Sequence, residues 1–380
     1  MAWIYEQPEW PHFTWDIRQL VSLLSEVRHQ QGKLLGQMQC LGFEAQQETS
    51  LRVLTQDVVK SSAIEGEMLS LAAVRSSIAR RLGFEQGGLQ NKQRHVEGIV
   101  EVMLDATQNY QQALNFERLW RWHAALFPTG FSGMQPIMVG LWRLPASDPM
   151  QVISKQRGRE YIHFQAPAAE RLNTEMSLFL NWLESEQTLD PILKAGIAHF
   201  WFITIHPFED GNGRLARAIS DLCLARADQT PFRFYSLSTQ IELDKKNYYQ
   251  QLEAQQRGQL DITAWLEWFL TCLSNALHHA QSILQAVHYK SQIWSRAHQF
   301  TLNDRQRLIL NRMLENFKGF MNTSKYATLA KCSHDTALRD IKALVHYGVF
   351  VPNQAGGRST SYRLATETEL TQLKQNAQND

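Results

Sequence analysis

An apolar segment that leads directly into a glycine-rich turn is the feature that most restricts the fold of this chain. Residues 192–205 read ILKAGIAHFWFITI, and Asp190 and Pro191 precede them. An aspartate N-cap followed by proline at the first helical position is typical of a helix start. The segment HPFEDGNGRLAR follows, and apolar residues then recur at helical spacing from Leu215 to Cys223. The pattern predicts two helices joined by a tight loop.

The residues of that loop are suited to holding a polyphosphate beside a base. A Gly211–Gly213 turn lets the unpaired amides at the start of the second helix approach a phosphate. Arg214 and Arg217 share one face of that helix, and the arginine fork matches phosphate oxygens. Asp210 is a hard oxygen ligand of the kind that Mg²⁺ prefers. His206 is the residue type that accepts a proton at neutral pH.

The string HPFEDGNGRLAR resembles the signature loop HPFx[DE]GNGRxxR of the Fic family. The resemblance extends over roughly residues 95 to 275. It implies a helical Fic core that transfers AMP from ATP to protein hydroxyls. In that family's pattern His206 is the general base, Asp210 holds Mg²⁺, and position 209 is variable, so Glu209 receives no role. The Doc relatives, which phosphorylate their targets, lack the intact Gly-Asn-Gly-Arg pattern, which favours AMP transfer here.

The resemblance also implies a nucleotide-binding set. Asn212 with the amides of Gly211 and Gly213 resembles the family's anion hole, and Arg217 is placed at the γ-phosphate. Tyr248 and Tyr249 resemble an aromatic pair that family members carry near the adenine. Either tyrosine fits a place in the buried core equally well. The expected ATP-binding residues are Gly211, Asn212, Gly213, Arg214, Leu215, Arg217, Tyr248 and Tyr249.

A hairpin is predicted from residue 150 to residue 164, which read MQVISKQRGREYIHF. Two short β-prone stretches flank a glycine-containing turn in an otherwise helical chain. The hairpin resembles the Fic flap, which holds an extended target segment by strand addition. The target-docking residues expected on it are Val152, Ile153, Tyr161 and Ile162.

An inhibitory segment is predicted upstream, where residues 61–66 read SSAIEG and fit the pattern [ST]xxxE[GN]. In Fic proteins this pattern marks a helix whose glutamate pairs with the second arginine of the signature loop. Here Ser61 and Glu65 are the inhibitory residues, and Glu65 is expected to hold the fork of Arg217 in a bidentate contact. A solvated glutamate at a helix end is the alternative.

Composition places few further limits. The 380 residues suffice for two or three domains, and the net charge of +1 gives no whole-chain field for nucleic acid or membrane. The four cysteines form no paired or zinc-like spacing. No basic leader or apolar stretch of membrane-spanning length is present. These observations predict a cytoplasmic protein with reduced thiols that is not embedded in a membrane.

The predicted fold class is mainly α, with a Fic-type helical core, one hairpin flap and a small winged-helix domain. The expected segments are 1–88 for an N-terminal helical module, 94–290 for the catalytic core, 301–365 for the winged helix and 366–380 for a polar tail. A break near residues 292–301 separates the last domain, whose helices and glycine-rich wing follow the winged-helix order.

Basic residues outnumber acidic ones in the predicted winged helix. Arg339 and Lys342 on its third helix are the candidate DNA contacts, together with Arg358 in the wing, and Arg363 adds to the same positive surface. Duplex DNA is one expected partner, and docking to a protein or homodimerisation is the alternative.

Three functions remain open from the sequence. The first is AMP transfer to Ser, Thr or Tyr hydroxyls of a target protein, autoinhibited by Glu65. The second is hydrolytic removal of AMP from a modified protein, with Glu65 orienting a water. The third is a DNA-binding regulator whose nucleotide pocket acts only as a sensor.

Overall fold

The computed structural model describes residues 2–83, 94–146, 148–156, 159–314, 317, 319–353 and 360–372. The chain forms two compact units, Met1–Ala280 and Gln281–Asp380. The segment 1–88, predicted to be a separate module, lies within the first unit together with the region expected to be catalytic. The second unit begins before residue 301, where the sequence placed its start.

The first unit is built mainly from helices, which confirms the predicted fold class. Its helices are α1 (Ile17–Gln39), α2 (Phe43–Ile64), α3 (Leu71–Arg81), α4 (Arg94–Gln108), α5 (Phe116–Leu126), α6 (Leu172–Ser185), α7 (Pro191–Ile205), α8 (Asn212–Asp228), α9 (Leu237–Leu243), α10 (Lys245–Gln256) and the first part of α11 (Thr263–Ala297). Its strands are β1 (Phe131–Ser132), β2 (Gln135–Pro136), β3 (Gln151–Gln156) and β4 (Arg159–Gln165).

Helix α7 is buried almost all round, and its start follows from its first residues. Asp190 accepts hydrogen bonds from the backbone N–H groups of Ile192 (2.8 Å) and Leu193 (3.4 Å), and Pro191 occupies the first turn. Gly196 lets α11 approach closely, because a Cβ there would lie 3.0 Å from the ring of Phe269. The apolar sequence of α7 is therefore explained by its place in the core.

A buried polar network fastens α2 to the core next to α8. Arg233 is 2% exposed and pairs with Asp221 of α8 and with Asp228, both at 2.9 Å. The Asp57 carboxylate of α2 accepts hydrogen bonds from Ser236 Oγ (2.5 Å) and from the backbone N–H of residue 238 (3.2 Å). The segment predicted to be inhibitory, at the end of α2, is thus held close to the start of α8.

The predicted flap is present as the antiparallel pair β3–β4, with an irregularity in register between Val152 and Ile153. The turn residues 157–158 lie outside the described part of the chain. Trp3 and Tyr5 of the N-terminal segment pack edge-on against Phe164 of β4, with ring centroids 5.3 and 6.2 Å apart. The N-terminal segment therefore supports the flap, which the sequence did not indicate.

Within its described residues, the second unit has three helices followed by two short strands, in the order expected from the sequence. The end of α11 is followed by α12 (Asp304–Leu314), α13 (Thr323–Ala330), α14 (His334–His346) and the antiparallel strands β5 (Phe350–Pro352) and β6 (Tyr362–Leu364). Asn322 caps α13 by accepting a hydrogen bond from the backbone N–H of Lys325.

The polar tail predicted from residue 366 is wrong at its beginning. Residues 367–372 are helical, and Leu370 is buried in the core of the second unit with 2% exposure. The burial of this leucine anchors the helical segment to the core of the second unit. Across the described residues, no helix combines the length and apolar character that spanning a membrane requires.

Candidate functional site

A cavity of about 620 Å³ lies where α7 ends and α8 begins, with the flap and α10 on its other sides. This size is within the range of small-molecule sites. Its lining residues come from the α2 turn, the flap, the α7–α8 loop and α10: Glu65, Gln151, Val152, Ile153, Ser154, His163, Phe164, Ile203, His206, Glu209, Asp210, Gly211, Asn212, Gly213, Tyr248, Tyr249, Leu252, Glu253 and Gln256. The structure thus brings the signature loop, the flap and the segment predicted to be inhibitory to one cavity.

His206 ends α7 in the left-handed backbone region, with φ of 52°. Its Nδ1 lies 3.2 Å from the carbonyl of Ile203, which accepts the Nδ1–H and leaves Nε2 as the unprotonated nitrogen. Burial, with a smaller contribution from Arg143, lowers the pKa of His206 to about 4, against the opposing effects of Glu65 and Asp210. The imidazole is therefore neutral at physiological pH and able to accept a proton.

Arg143 holds the His206 turn in place and was not identified from the sequence. Its Nε donates to the His206 carbonyl at 2.9 Å, and its backbone N–H donates to the Pro207 carbonyl at 2.9 Å. The side chain is 7% exposed and also donates to the carbonyl of Pro167. An arginine far upstream in the chain carries no local signal for this role.

The Asp210 carboxylate faces the cavity and is 45% exposed. It accepts hydrogen bonds from Ser132 Oγ and from the backbone N–H of Gly211 (2.5 Å). Buried His123 holds the backbone of the same residue: its Nδ1 accepts from the Gly140 N–H at 3.1 Å, so its Nε2–H donates to the Asp210 carbonyl at 3.2 Å. His123 is a second supporting residue that the sequence did not reveal.

Asp210 fits the role of a single protein ligand to Mg²⁺. Within the described ranges no group of three or more histidine, cysteine or acidic residues is arranged to hold a metal ion. Mg²⁺ at nucleotide sites usually takes one or two carboxylates and completes its shell with phosphates and water. An exposed carboxylate beside a helix N-terminus meets that requirement.

The N-terminus of α8 is built for an anion. Gly211 is its N-cap, with φ of 84°, and provides no side chain to cap the first amides. A Cβ at Gly211 would lie 2.9 Å from the ring of Phe127, so glycine is required there for space as well as for conformation. The amides of Asn212 and Gly213 lie at the start of the helix. The Gly211 amide, also expected in the anion hole, is bonded to Asp210 instead.

The side chains of Asn212 and Leu215, both predicted to be ATP-binding residues, close the loop and pack in the core in this structure. Asn212 Oδ1 accepts from the Phe208 N–H at 3.0 Å, and Asn212 Nδ2 donates to the Phe208 carbonyl at 2.8 Å. Both ends of the amide are therefore used to close the loop, leaving the backbone N–H for an anion. Leu215 is 0% exposed and its N–H donates to the Gly211 carbonyl, so it belongs to the core.

Arg217 is paired with the inhibitory segment, but the contact differs from the expected bidentate one. Its Nη2 donates to Glu65 Oε1 at 2.8 Å and to the Ser61 carbonyl at 2.8 Å, while its Nε donates to Ser61 Oγ at 2.9 Å. One glutamate oxygen and two serine oxygens thus share the fork. Arg217 is 1% exposed and is covered by Glu65, which lines the cavity in its place.

Arg214 is paired with a second glutamate. Its Nη1 donates to Glu67 Oε2 at 3.0 Å, and its Nη2 lies 3.8 Å from Asp210 Oδ1. The guanidinium carbon lies 5.0 Å from the ring centroid of Phe127, and the residue is 8% exposed. The sequence pattern of the inhibitory segment ends at Gly66, so nothing in it pointed to Glu67.

Both tyrosines of α10 line the cavity. Tyr248 is 1% exposed, and its hydroxyl donates to Nε2 of buried His199 at 2.9 Å. Tyr249 is 39% exposed, and its hydroxyl lies 3.3 Å from the Ile64 carbonyl and 3.5 Å from Glu65 Oε2. Burial raises the pKa of Tyr249, with Glu65 adding to the effect. Tyr248 is therefore fixed in the core, whereas Tyr249 has an open ring for a base.

The flap residues divide by strand. Val152 and Ile153 of β3 line the cavity and remain partly exposed, at 37% and 46%. Tyr161 and Ile162 of β4 are exposed, at 48% and 41%, but are not among the lining residues. The Tyr161 hydroxyl donates to Glu253 Oε1 of α10 at 2.9 Å.

The predicted DNA-contact residues are only partly described. Arg339 and Lys342 are exposed on α14, whereas Arg358 lies outside the described residues. Arg363 does not add to a free positive surface, because its two Nη atoms pair with Glu369 at 2.7 and 2.8 Å.

Two segments of the chain match models of known protein families. Residues 113–224 match the family model described as Fic/DOC family, and residues 3–84 match one described as a domain of unknown function (DUF4172). The central part of the chain, residues 113–224, is therefore similar to the Fic/DOC family, which confirms the resemblance seen in the sequence.

Several curated relatives are named as protein adenylyltransferases. A protein adenylyltransferase Fic from Nematostella vectensis is 34% identical over 115 residues, which are 29% of this chain and 25% of that relative. Another of that name from Aedes aegypti is 26% identical over 226 residues, which are 58% of this chain and 40% of the relative. The matched segments thus span less than half the length of either relative.

A solved structure shares the fold. The crystal structure of a Fic domain containing signalling protein from Bacteroides thetaiotaomicron superposes with a TM-score of 0.50 at 19% identity, covering 67% of this chain and 95% of that chain. This likeness concerns the fold alone.

Proposed function

We propose that this protein transfers AMP from ATP to a Ser, Thr or Tyr hydroxyl of a target protein. The observation that carries the proposal is the neutral imidazole of His206, which lines one cavity with Asp210 and the uncapped start of α8. A base, an anion-binding helix terminus and a metal-competent carboxylate meet there. The adenylyltransferase names of the relatives support the same reaction class.

In the proposed reaction the target hydroxyl oxygen forms a bond to the α-phosphorus, and the bond from that phosphorus to the α–β bridging oxygen breaks. His206 Nε2 takes the hydroxyl proton, and pyrophosphate leaves. The amides of Asn212 and Gly213 bind phosphate oxygens, while β3 of the flap orients the target segment. Mg²⁺ held by Asp210 would neutralise phosphate charge when bound.

We propose that the protein is autoinhibited in the described conformation. Two of the three nitrogen atoms of the Arg217 fork, Nε and Nη2, are occupied by Ser61 and Glu65 and are withheld from a γ-phosphate. Glu65 also places a negative charge where the triphosphate must bind.

The reaction is tested by intact mass spectrometry after incubation with ATP and Mg²⁺. Because Glu65 covers Arg217, the assay uses the Glu65→Gly chain as well as the native one. A gain of one AMP on the chain or on an added protein is expected, and His206→Ala should abolish it while ATP binding persists. His334→Ala, an exposed histidine of the second unit, is the matched control. Transfer at an undiminished rate by His206→Ala would refute the general-base role.

Removal of AMP from a modified protein is a second candidate. The observation favouring it is that the Glu65 carboxylate lines the same cavity as His206 and is 32% exposed, so it can orient a water there. A premodified protein separates the two reactions. If the protein hydrolyses the modification, the native chain removes the label and Glu65→Gln does not. If the protein transfers AMP, the native chain leaves the label in place and Glu65→Gln is the more active form in adding AMP.

For the second unit we propose duplex DNA as a partner, supported by exposed Arg339 and Lys342 on α14. Retention of the full chain on duplex DNA should weaken steeply with salt, because neutralised phosphates release counterions. The Arg339→Ala/Lys342→Ala double variant should reduce retention, and Lys246→Ala, an exposed lysine of the first unit, should not. Failure of retention at low salt would leave protein docking or homodimerisation as the role of this surface.

A further inference from the structure

We propose that Glu67 is a second inhibitory carboxylate, which blocks Arg214 as Glu65 blocks Arg217. This inference rests on the proposed nucleotide-binding function and extends its regulation to the first arginine of the loop. The contact from Arg214 Nη1 to Glu67 Oε2 is 3.0 Å. The contact from Arg217 Nη2 to Glu65 Oε1 is 2.8 Å. Each arginine of GNGRLAR is thus paired with one glutamate of the same short segment.

The two glutamates are fixed to one turn. Gly66, with φ of 87°, separates them at the end of α2. The Gly66 N–H donates to the Ala63 carbonyl and the Glu67 N–H donates to the Ser62 carbonyl, both at 3.0 Å. Because the turn is bonded to the last residues of α2, its carboxylates stay together. Gly213 fits beneath this turn, since a side chain there would collide with the Glu65 carboxylate.

The surroundings of Arg214 indicate that Glu67 blocks this arginine and is not needed to hold it in position. Its ring contact with Phe127 and its closeness to Asp210, at 3.8 Å, already orient the guanidinium. A third group is not needed to hold it. Glu67 instead occupies Nη1 of Arg214. Its negative charge lies at the site where the negatively charged phosphates of ATP must bind. Two carboxylates therefore oppose the triphosphate, and loss of Glu65 alone leaves one in place.

The size of the effect follows from exposure. The Arg214 side chain is 10% exposed and that of Glu67 is 38% exposed, so solvent screens part of the attraction. Such a contact corresponds to about a threefold to tenfold change in ATP affinity when it is removed. Since the two pairs involve different arginines, the Glu65 and Glu67 effects are expected to multiply.

The test is calorimetric titration of the full chain with ATP and, separately, with adenosine. Glu67→Gln should tighten ATP binding about threefold to tenfold, leave adenosine binding unchanged, and multiply the gain of Glu65→Gln in the double variant. Glu242→Gln is the matched control, because it removes a carboxylate that is paired with Lys60 of α2 at 3.1 Å and with neither arginine. Thermal unfolding verifies that each variant is folded.

Weaker or unchanged ATP binding in Glu67→Gln would overturn the proposal, since it would show that Glu67 supports Arg214 or does not act on it. An equal change in adenosine binding would overturn it as well, because adenosine has no phosphates. The readout is binding, so failure to transfer AMP would refute the proposed function without affecting this result.

Discussion

Replacing Glu65 by glycine is expected to raise AMP transfer, and the structure sets the size of the increase. The substitution removes one charge-assisted hydrogen bond, from Arg217 Nη2 to Glu65 Oε1 at 2.8 Å. It also removes the carboxylate that occupies the space where a side chain at position 213 would lie. Arg217 is fully buried, but the Glu65 side chain is 32% exposed, so the contact belongs near the weaker end for charged hydrogen bonds.

A contribution of about 1–2 kcal/mol corresponds to roughly a fivefold to thirtyfold increase in rate at limiting ATP. The increase is limited because Ser61 keeps two contacts to Arg217 in the variant. Ser61→Ala removes only the Nε contact and should give a smaller gain. Glu65→Gln tests the charge with nearly the same shape and should reproduce most of the glycine effect.

The assay measures initial rates of label transfer from ATP at concentrations well below saturation. Circular dichroism and thermal unfolding establish that each variant has the native fold. An unchanged or slower rate in a folded Glu65→Gly chain would refute autoinhibition through Arg217. A gain in Ser61→Ala larger than that in Glu65→Gly would show that the serine, not the carboxylate, dominates the contact.

Three further predictions concern stability and the flap. Burial lowers the pKa of His123 to about 4, so the unfolded chain binds more protons than the folded one below pH 6.5. The contribution of His123 to the free energy of unfolding is therefore complete above pH 6.5. It falls by about 3 kcal/mol as the pH is lowered to 4. Urea unfolding should show a flatter pH slope for His123→Gln, and an identical slope would contradict the assignment. Arg233→Met leaves Asp221 and Asp228 without their buried partner and should cost about 3–5 kcal/mol of unfolding free energy in chemical denaturation; a loss below 1 kcal/mol would argue against the network. Glu253→Ala should make the β3–β4 hairpin more sensitive to trypsin while ATP affinity is retained, because Glu253 holds Tyr161 at 2.9 Å; equal cleavage of both chains would disprove that anchoring.

The helices and the signature loop were predictable because their determinants are local. Asp190 and Pro191 fixed the start of α7, and Ser70 and Asn115 likewise cap α3 and α5 through hydrogen bonds to nearby amides. The start of α8 after the glycine at position 211 was predictable, since glycine spacing in a turn indicates close backbone approach.

The supporting residues were not predictable because their partners are distant in the chain. Arg143 bonds to His206, and His123 bonds to Asp210, across long stretches whose pairing only the fold determines. Each has a sequence context that suits an ordinary helix or loop residue. Conversely, Asn212 and Leu215 lie within the motif, but the Asn212 side chain closes the loop and the Leu215 side chain packs in the core. A motif thus marks where a site lies without dividing its members between chemistry and structure.

Helix α10 shows why single substitutions in this site need matched controls. Tyr249 lines the cavity with an open ring, yet its hydroxyl lies 3.3 Å from the Ile64 carbonyl of the inhibitory helix. One turn further on, Glu253 accepts from Tyr161 and lies 2.6 Å from His163 Nδ1, both in the flap. Because residues four apart share a helix face, the proposed nucleotide pocket, the turn proposed to be inhibitory and the flap meet on one surface of α10. Loss of activity in Tyr249→Ala would therefore not identify a base contact, whereas Tyr249→Phe keeps the ring and removes only the tie to α2.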